Sequence, residues 1–209
     1  MRRLVALGGA LLVIGTAIAL LAGGWTWVKA RFYIGHMERQ DRLERLQAER
    51  VVRTLELVPG WVVADIGAGS GLFTRAIAKQ VAPGVVYAVD INPNLLTHIE
   101  KTAEEAGLAN IQTVLATEDD PRLPAALDLV FICDTLHYIE EPEPYLRKLH
   151  AHVRPGGRVA IIDFFRNWPP MSNQFGADRL ESWMTLAGFA LVEKHDFLPD
   201  HYFLIFERG

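Results

Sequence analysis

The stretch Val62-Val63-Ala64-Asp65-Ile66-Gly67-Ala68-Gly69-Ser70-Gly71-Leu72-Phe73-Thr74 decides the fold. Its first five residues form an apolar, largely β-branched run broken only by Ala64 and Asp65, which predicts a buried strand. Gly67, Gly69 and Gly71 then remove side chains where the backbone must turn tightly and let a ligand approach. A helix is predicted over 71–81. A molecule bound at such a turn lies at the carboxyl end of the strand and faces the first amides of the helix, where open parallel sheets hold nucleotide-like ligands.

The glycine spacing narrows the ligand. The dinucleotide fingerprint is G-x-G-x-x-G, whereas these glycines follow G-x-G-x-G, and no Gly-Lys-Ser/Thr completes a P-loop. A second strand is predicted at Val85-Val86-Tyr87-Ala88-Val89-Asp90. Its closing acid lies about twenty residues past the glycine turn, placed to accept hydrogen bonds from ribose hydroxyls. The alternative role of Asp90 is a strand-end turn leading into Asn92-Pro93. Leu127-Asp128-Leu129-Val130-Phe131-Ile132-Cys133-Asp134 predicts the fourth strand. A helix over 142–153 is expected to stop before Pro155, with Gly156-Gly157 reversing the chain into a fifth strand that ends at Asp163.

These four segments, in this order, resemble the motifs of the class I S-adenosylmethionine-dependent methyltransferases, over roughly residues 36 to 209. The remaining pattern agrees: a helix over 93–106, a strand over 111–116, a helix over 177–187, and strands over 190–197 and 202–208 joined too closely for anything but antiparallel pairing. The expected fold is α/β: a Rossmann-like, seven-stranded, mostly parallel sheet with a C-terminal antiparallel hairpin, preceded by a transmembrane helix.

The resemblance implies a cofactor, S-adenosyl-L-methionine, and assigns its contacts. Gly67, Ala68, Gly69 and Gly71 border the methionine part, with Asp65 near its ammonium or else fixing the glycine turn. Asp90 binds ribose, Ile91 lies against adenine, and Glu118 or Asp119 reaches the adenine amino group. Cys133 and Asp134 end the fourth strand beside the donor methyl, although a lone cysteine in an apolar strand also reads as core. A sulfonium methyl is already activated, so the protein must align the acceptor, exclude water and remove a proton where the nucleophile carries one. His137 is the candidate base, since histidine as a residue type titrates near neutrality, or else it shapes the pocket. Asp134 and Asp163 are the other catalytic candidates. His195 and His201 are expected to be structural or exposed.

The formal net charge of −4 argues against a general nucleic-acid surface. One cysteine permits no internal disulfide, and no metal-ligand spacing is present. Residues 4–28 are uncharged, follow Arg2 and Arg3, and carry Trp25 and Trp27 at the far end. The domain expectation is therefore an anchor over 1–30, an amphipathic linker or lid helix over 31–60, and the methyltransferase domain over 61–209. A retained membrane anchor competes with a cleaved signal peptide, for which Ala17-Ile18-Ala19 offers small residues. Lys29, Arg31, Arg39, Arg42 and Arg45 favour a cytoplasmic domain on a single-pass protein; an exported domain is the alternative. His36 to Val58 reads as one helix with Leu43, Leu46 and Leu55 on a face, His36 and Gln40 being candidates to approach the cofactor. The apolar, proline-stiffened Phe164-Phe165-Arg166-Asn167-Trp168-Pro169-Pro170-Met171 suits a roof over a small-molecule or lipid-like acceptor. Two other classes stay open: a noncatalytic membrane-tethered binding module and a nicotinamide-dependent oxidoreductase. Oligomeric state has no signature in the sequence.

Overall fold

The computed structural model describes residues 31–32, 34–124, 126–165 and 175–209. The anchor or signal peptide expected over 1–30 and residues 166–171 of the expected acceptor roof lie outside the described residues. Among the described residues, no helix is long and apolar enough to cross a membrane.

Seven strands form one sheet in the order β3-β2-β1-β4-β5-β7-β6. They are β1 (Val62–Ile66), β2 (Val85–Asp90), β3 (Ile111–Leu115), β4 (Leu127–Cys133), β5 (Val153–Phe164), β6 (Phe189–His195) and β7 (His201–Arg208). The first five pair in parallel, and β7 runs antiparallel to both β5 and β6, as the short hairpin connection requires. The helices are α1 (Gln40–Leu46), α2 (Ala48–Thr54), α3 (Leu72–Val81), α4 (Pro93–Glu105), α5 (Pro142–His150) and α6 (Ala177–Leu186).

The strands read as continuous apolar runs because both faces are covered. Along β4, Leu129, Phe131 and Cys133 face a layer built on Leu46, Val51, Val52, Phe73 and Ile77. Val130 and Ile132 face the opposite layer, with Leu146, Leu149, Leu180 and Met184. Along β7 the same alternation sends Phe203 and Ile205 one way, Leu204 and Phe206 the other. Phe131, Phe203 and Phe206 are fully buried, each such side chain contributing about 1.5–3 kcal/mol of transfer free energy.

Two expected elements differ. The segment before β1 is broken rather than one helix: helical residues 34–37 are interrupted over 38–39, and α1 and α2 follow. Gln47 takes a left-handed backbone (φ 44°) between α1 and α2, and its amide Nε2 donates to the Phe197 carbonyl at 3.0 Å. The break lets Leu46 and Leu55 both be fully buried against the sheet, which a straight helix would not allow. Helix α5 stops at His150, well before Pro155. Pro155, Gly156 and Gly157 lie inside β5 as a bulge: Leu127 pairs with Val153, but Leu129 already pairs with Arg158. A side chain on Gly157 would stand 2.8 Å from the Leu127 carbonyl oxygen, so glycine permits this close passage.

Strand order reverses between β1 and β4. Their carboxyl ends open the crevice in which doubly wound sheets bind ligands, and the site is built there.

Candidate active site

The turn after β1 is held by backbone bonds from Gly67 N and Ala68 N to the Val89 carbonyl, at 2.8 and 3.0 Å. Gly67 has φ 72°, and a β-carbon there would overlap the Thr135 side chain that follows β4. Only glycine allows these two strand ends to meet. Gly69 (φ 56°) has the Met37 sulfur 2.7 Å from where its β-carbon would stand.

Asp90, almost wholly buried, ties the turn to β2. Its Oδ2 accepts from Gly69 N at 3.0 Å and its Oδ1 from Asn92 N at 2.9 Å. Burial pushes its carboxyl above the ordinary range, against the pull of the amides of Asn92, Gly69 and Ile91. Its oxygens keep lone pairs for further donors.

A cavity of about 600 Å³ opens over this turn, within the range of small-molecule sites. It brings together seven of the expected residues: Gly67, Gly69, Asp90, Ile91, Glu118, Asp134 and His137. Ile91 is 56% exposed, an apolar side chain presented at the mouth. His36 also lines the cavity; Gln40 instead bonds to Glu44 on the helix surface, its Nε2 donating at 3.1 Å.

Six expected residues are placed elsewhere. Gly71 caps α3, where a β-carbon would press on Ile99. The Ala68 methyl packs with Ala88, Leu96 and Ile99. Asp119 is turned outward, accepting from Thr117 Oγ1 at 2.9 Å with Lys148 Nζ 3.8 Å away, so of the two loop acids only Glu118 faces the cavity. Cys133 does not line the cavity: it shares strand parity with Leu129 and Phe131, is buried in their layer, and burial pushes its thiol well up. Asp163 stands behind His137 rather than in the cavity wall.

Asp65 points to the α3 side of β1, where Thr74 Oγ1 donates to its Oδ2 at 2.5 Å. Burial pushes its carboxyl up to about 7, opposed by the Thr74 hydroxyl and reinforced by the Asp90 charge. A carboxyl whose folded pKa lies above its unfolded value supports folding fully at low pH, and that support is lost as pH rises through the folded pKa. Asp65→Asn is therefore expected to gain in thermal midpoint over wild type as pH rises from about 4 to about 7, and to keep that gain at pH 8. Thermal unfolding across this window is the check, and a difference that does not grow between pH 4 and pH 7 would contradict it.

Tyr138, Ile139, Tyr145 and Phe164 also line the cavity. Here the turn after β4 carries His137, which is 5% exposed. Its Nδ1 lies 2.7 Å from Asp163 Oδ1, and its backbone N–H donates to Asp163 Oδ2 at 3.3 Å. A carboxylate on Nδ1 fixes the hydrogen there in the neutral ring, leaving the lone pair on Nε2. Nε2 has no hydrogen-bond partner among the described residues. A buried imidazole, oriented by a carboxylate and with an unengaged nitrogen, is the arrangement of a general base.

Asp134 is differently engaged. Arg42 Nη2 donates to its Oδ2 at 2.6 Å, and His201 Nε2 stands 2.8 Å from its Oδ1, out of line for a good hydrogen bond. Burial alone would raise this carboxyl, but His201 and Arg42 outweigh it and hold it below the ordinary range. Such a carboxylate is a weaker proton acceptor than an ordinary aspartate. His201, expected to be structural or exposed, is 3% exposed and lines the cavity. Arg42 and His201 were not legible as site residues: they come from an arginine-rich helix and a hairpin end, and no local motif marks them.

A methyltransferase domain model matches residues 64–159, from within β1 to within β5. The ubiquinone/menaquinone biosynthesis C-methyltransferase UbiE of Ralstonia pickettii is 29% identical over 156 residues, 74% of this chain and 64% of the relative. The chain thus spans under two thirds of that relative's length. Among solved structures, a SAM-dependent methyltransferase from Aquifex aeolicus superposes with TM-score 0.77 at 24% identity, over 84% of this chain and 97% of the other. Magnesium protoporphyrin IX methyltransferase from Synechocystis, solved with bound SAM, gives TM-score 0.65 at 19% identity, over 79% of this chain and 80% of the other. The two structural likenesses establish the fold.

Proposed function

We propose, on the premise that this chain carries an S-adenosylmethionine-dependent methyltransferase domain, that it moves a methyl group to an acidic carbon of an apolar, lipid-like acceptor. One observation carries the reading. The side-chain-free turn with its ribose-type acid and the Asp163-oriented His137 line one cavity.

The residues present fit the cofactor. Gly67 and Gly69 present bare backbone, Asp90 offers a carboxylate for vicinal hydroxyls, Ile91 an apolar face and Glu118 an acceptor for an amino group. Bound there, S-adenosylmethionine supplies a methyl group made electrophilic by its sulfonium. The remaining work falls to the chain. His137 Nε2 removes the proton from the acceptor, and Asp163 stabilises the imidazolium that forms. Tyr138, Tyr145 and Phe164 hold the acceptor and exclude water. Leu46 and Met37 cover the cavity from the α1 side.

Carbon rather than oxygen or nitrogen is supported by the UbiE relative, whose name is that of a C-methyltransferase. A lipid-like acceptor is supported by the aromatic lining and by the apolar segment over 4–28. We read that segment as a membrane anchor holding a cytoplasmic domain where membrane-dissolved acceptors reach it. The test is a screen of the full-length protein with isotopically labelled methyl donor against membrane lipid extracts and, separately, soluble metabolites. Label is expected in an organic-extractable product with a new C–CH3 bond. Label confined to a water-soluble product would overturn the acceptor class, and label on oxygen or nitrogen would overturn the atom.

A further inference from the structure

Three elements distant in sequence meet on the Asp134 carboxylate. Arg42 of α1 holds one oxygen at 2.6 Å, and His201, the first residue of β7, stands 2.8 Å from the other. Asp134 itself follows β4 and has a left-handed backbone (φ 50°), a conformation that a non-glycine residue keeps only when its surroundings hold it there. Its backbone N–H donates to the Ile162 carbonyl at 3.0 Å.

Both ends of this junction lead to working parts. Asp134 immediately precedes Thr135, which fills the space left by Gly67, and the 3-10 turn Leu136–Tyr138, which presents His137. Arg42 Nη1 donates to the Met37 carbonyl at 3.0 Å, and the Met37 sulfur lies over Gly69. One guanidinium therefore links the cover of the glycine turn to the residue that starts the base-bearing turn. The clamp is reinforced where α1 and the loop after it meet the β6–β7 connection, with Arg45 3.6 Å from Asp200 and Gln47 bonded to the Phe197 carbonyl. The His201 ring is additionally packed on Phe164, centroids 4.3 Å apart, and Phe164 follows Asp163 directly.

We propose that Arg42 and His201 are positioning residues: Arg42 by its hydrogen bond to Asp134, and His201 by its close approach to the same carboxylate and its packing on Phe164, hold the His137 turn and helix α1 in a single closed arrangement around the cavity. This rests on the proposed function only in taking His137 as the base. Arg42 fixes both the cover and the turn, whereas His201 fixes the turn alone.

Hydrogen–deuterium exchange on the full-length protein separates these roles. Arg42→Ala is expected to speed exchange about tenfold in both 40–46 and 134–138, with β1 and β4 unchanged. It is also expected to weaken S-adenosylhomocysteine binding about tenfold. Arg42→Lys, which keeps the charge but loses the two-pronged donor, should fall between wild type and alanine. His201→Phe keeps a ring against Phe164 and should speed exchange in 134–138 only. Unchanged exchange in both segments with Arg42→Ala, or faster exchange spread evenly over the sheet, would overturn the clamp. Exchange that behaves as predicted in a protein that does not bind S-adenosylhomocysteine at all would uphold the clamp and remove the proposed function instead.

Discussion

Replacing Asp90 with alanine is expected to weaken S-adenosylhomocysteine binding by about 10- to 100-fold. The estimate follows from the loss of hydrogen bonds to a charged group in a largely buried setting, worth about 1.5–3 kcal/mol each. Two effects act together. The substitution removes the carboxylate proposed to receive the ribose hydroxyls, and it releases Gly69 N and Asn92 N, which the same carboxylate holds at 3.0 and 2.9 Å. Asp90→Asn separates them, because the amide keeps one acceptor for the turn but loses the charge; its loss should be smaller. Titration calorimetry reads both variants. Equal affinity in wild type and Asp90→Ala would remove the ribose contact from the account.

The second large effect belongs to His137. His137→Gln should lower kcat by about 10²- to 10⁴-fold, the usual contribution of a positioned general base, while leaving S-adenosylhomocysteine affinity nearly as in wild type. The reason is local: the His137 ring sits among aromatics, 4.1 Å from Tyr138 and 5.8 Å from Phe164 between centroids, and its Nε2 has no partner among the described residues. Asp163→Asn should also lower kcat, since an amide places either a donor or a weaker acceptor opposite Nδ1 and loosens control of the tautomer. The rates are measured with labelled methyl donor and the acceptor identified by the screen. Wild-type kcat in His137→Gln would reduce the residue to a wall of the pocket.

The fold was legible because the information for it is local. Strands buried on both faces announce themselves as apolar runs, the glycine turn needs its residues at fixed spacing, and an acid at the end of β2 follows about twenty residues on. The break at Gln47 was not legible. It arises from tertiary packing that draws both Leu46 and Leu55 onto the sheet and from a side-chain bond to Phe197, 150 residues away.

The site divides in the same way. Gly67, Gly69, Asp90 and His137 carry short-range marks and line the cavity. Cys133 and Asp134 are neighbours with opposite fates, one in the core and one at the cavity, because strand alternation puts Cys133 with Leu129 and Phe131. Parity was visible in the sequence, but which parity faces the α3 side was not. Asp65 shares parity with Val63 and turns to Thr74, outside the cavity lining. Arg42 meets Asp134 across 92 residues, and His201 joins them from the closing hairpin. Such a junction exists only once the sheet has formed, and nothing in the local pattern of an arginine-rich helix singles out one guanidinium.

Titration calorimetry of the wild-type protein with S-adenosylhomocysteine and, separately, with NADH tests the central claim most directly. The account predicts micromolar binding of the first and no measurable heat from the second. No binding of S-adenosylhomocysteine, or tighter binding of the nicotinamide, would contradict it.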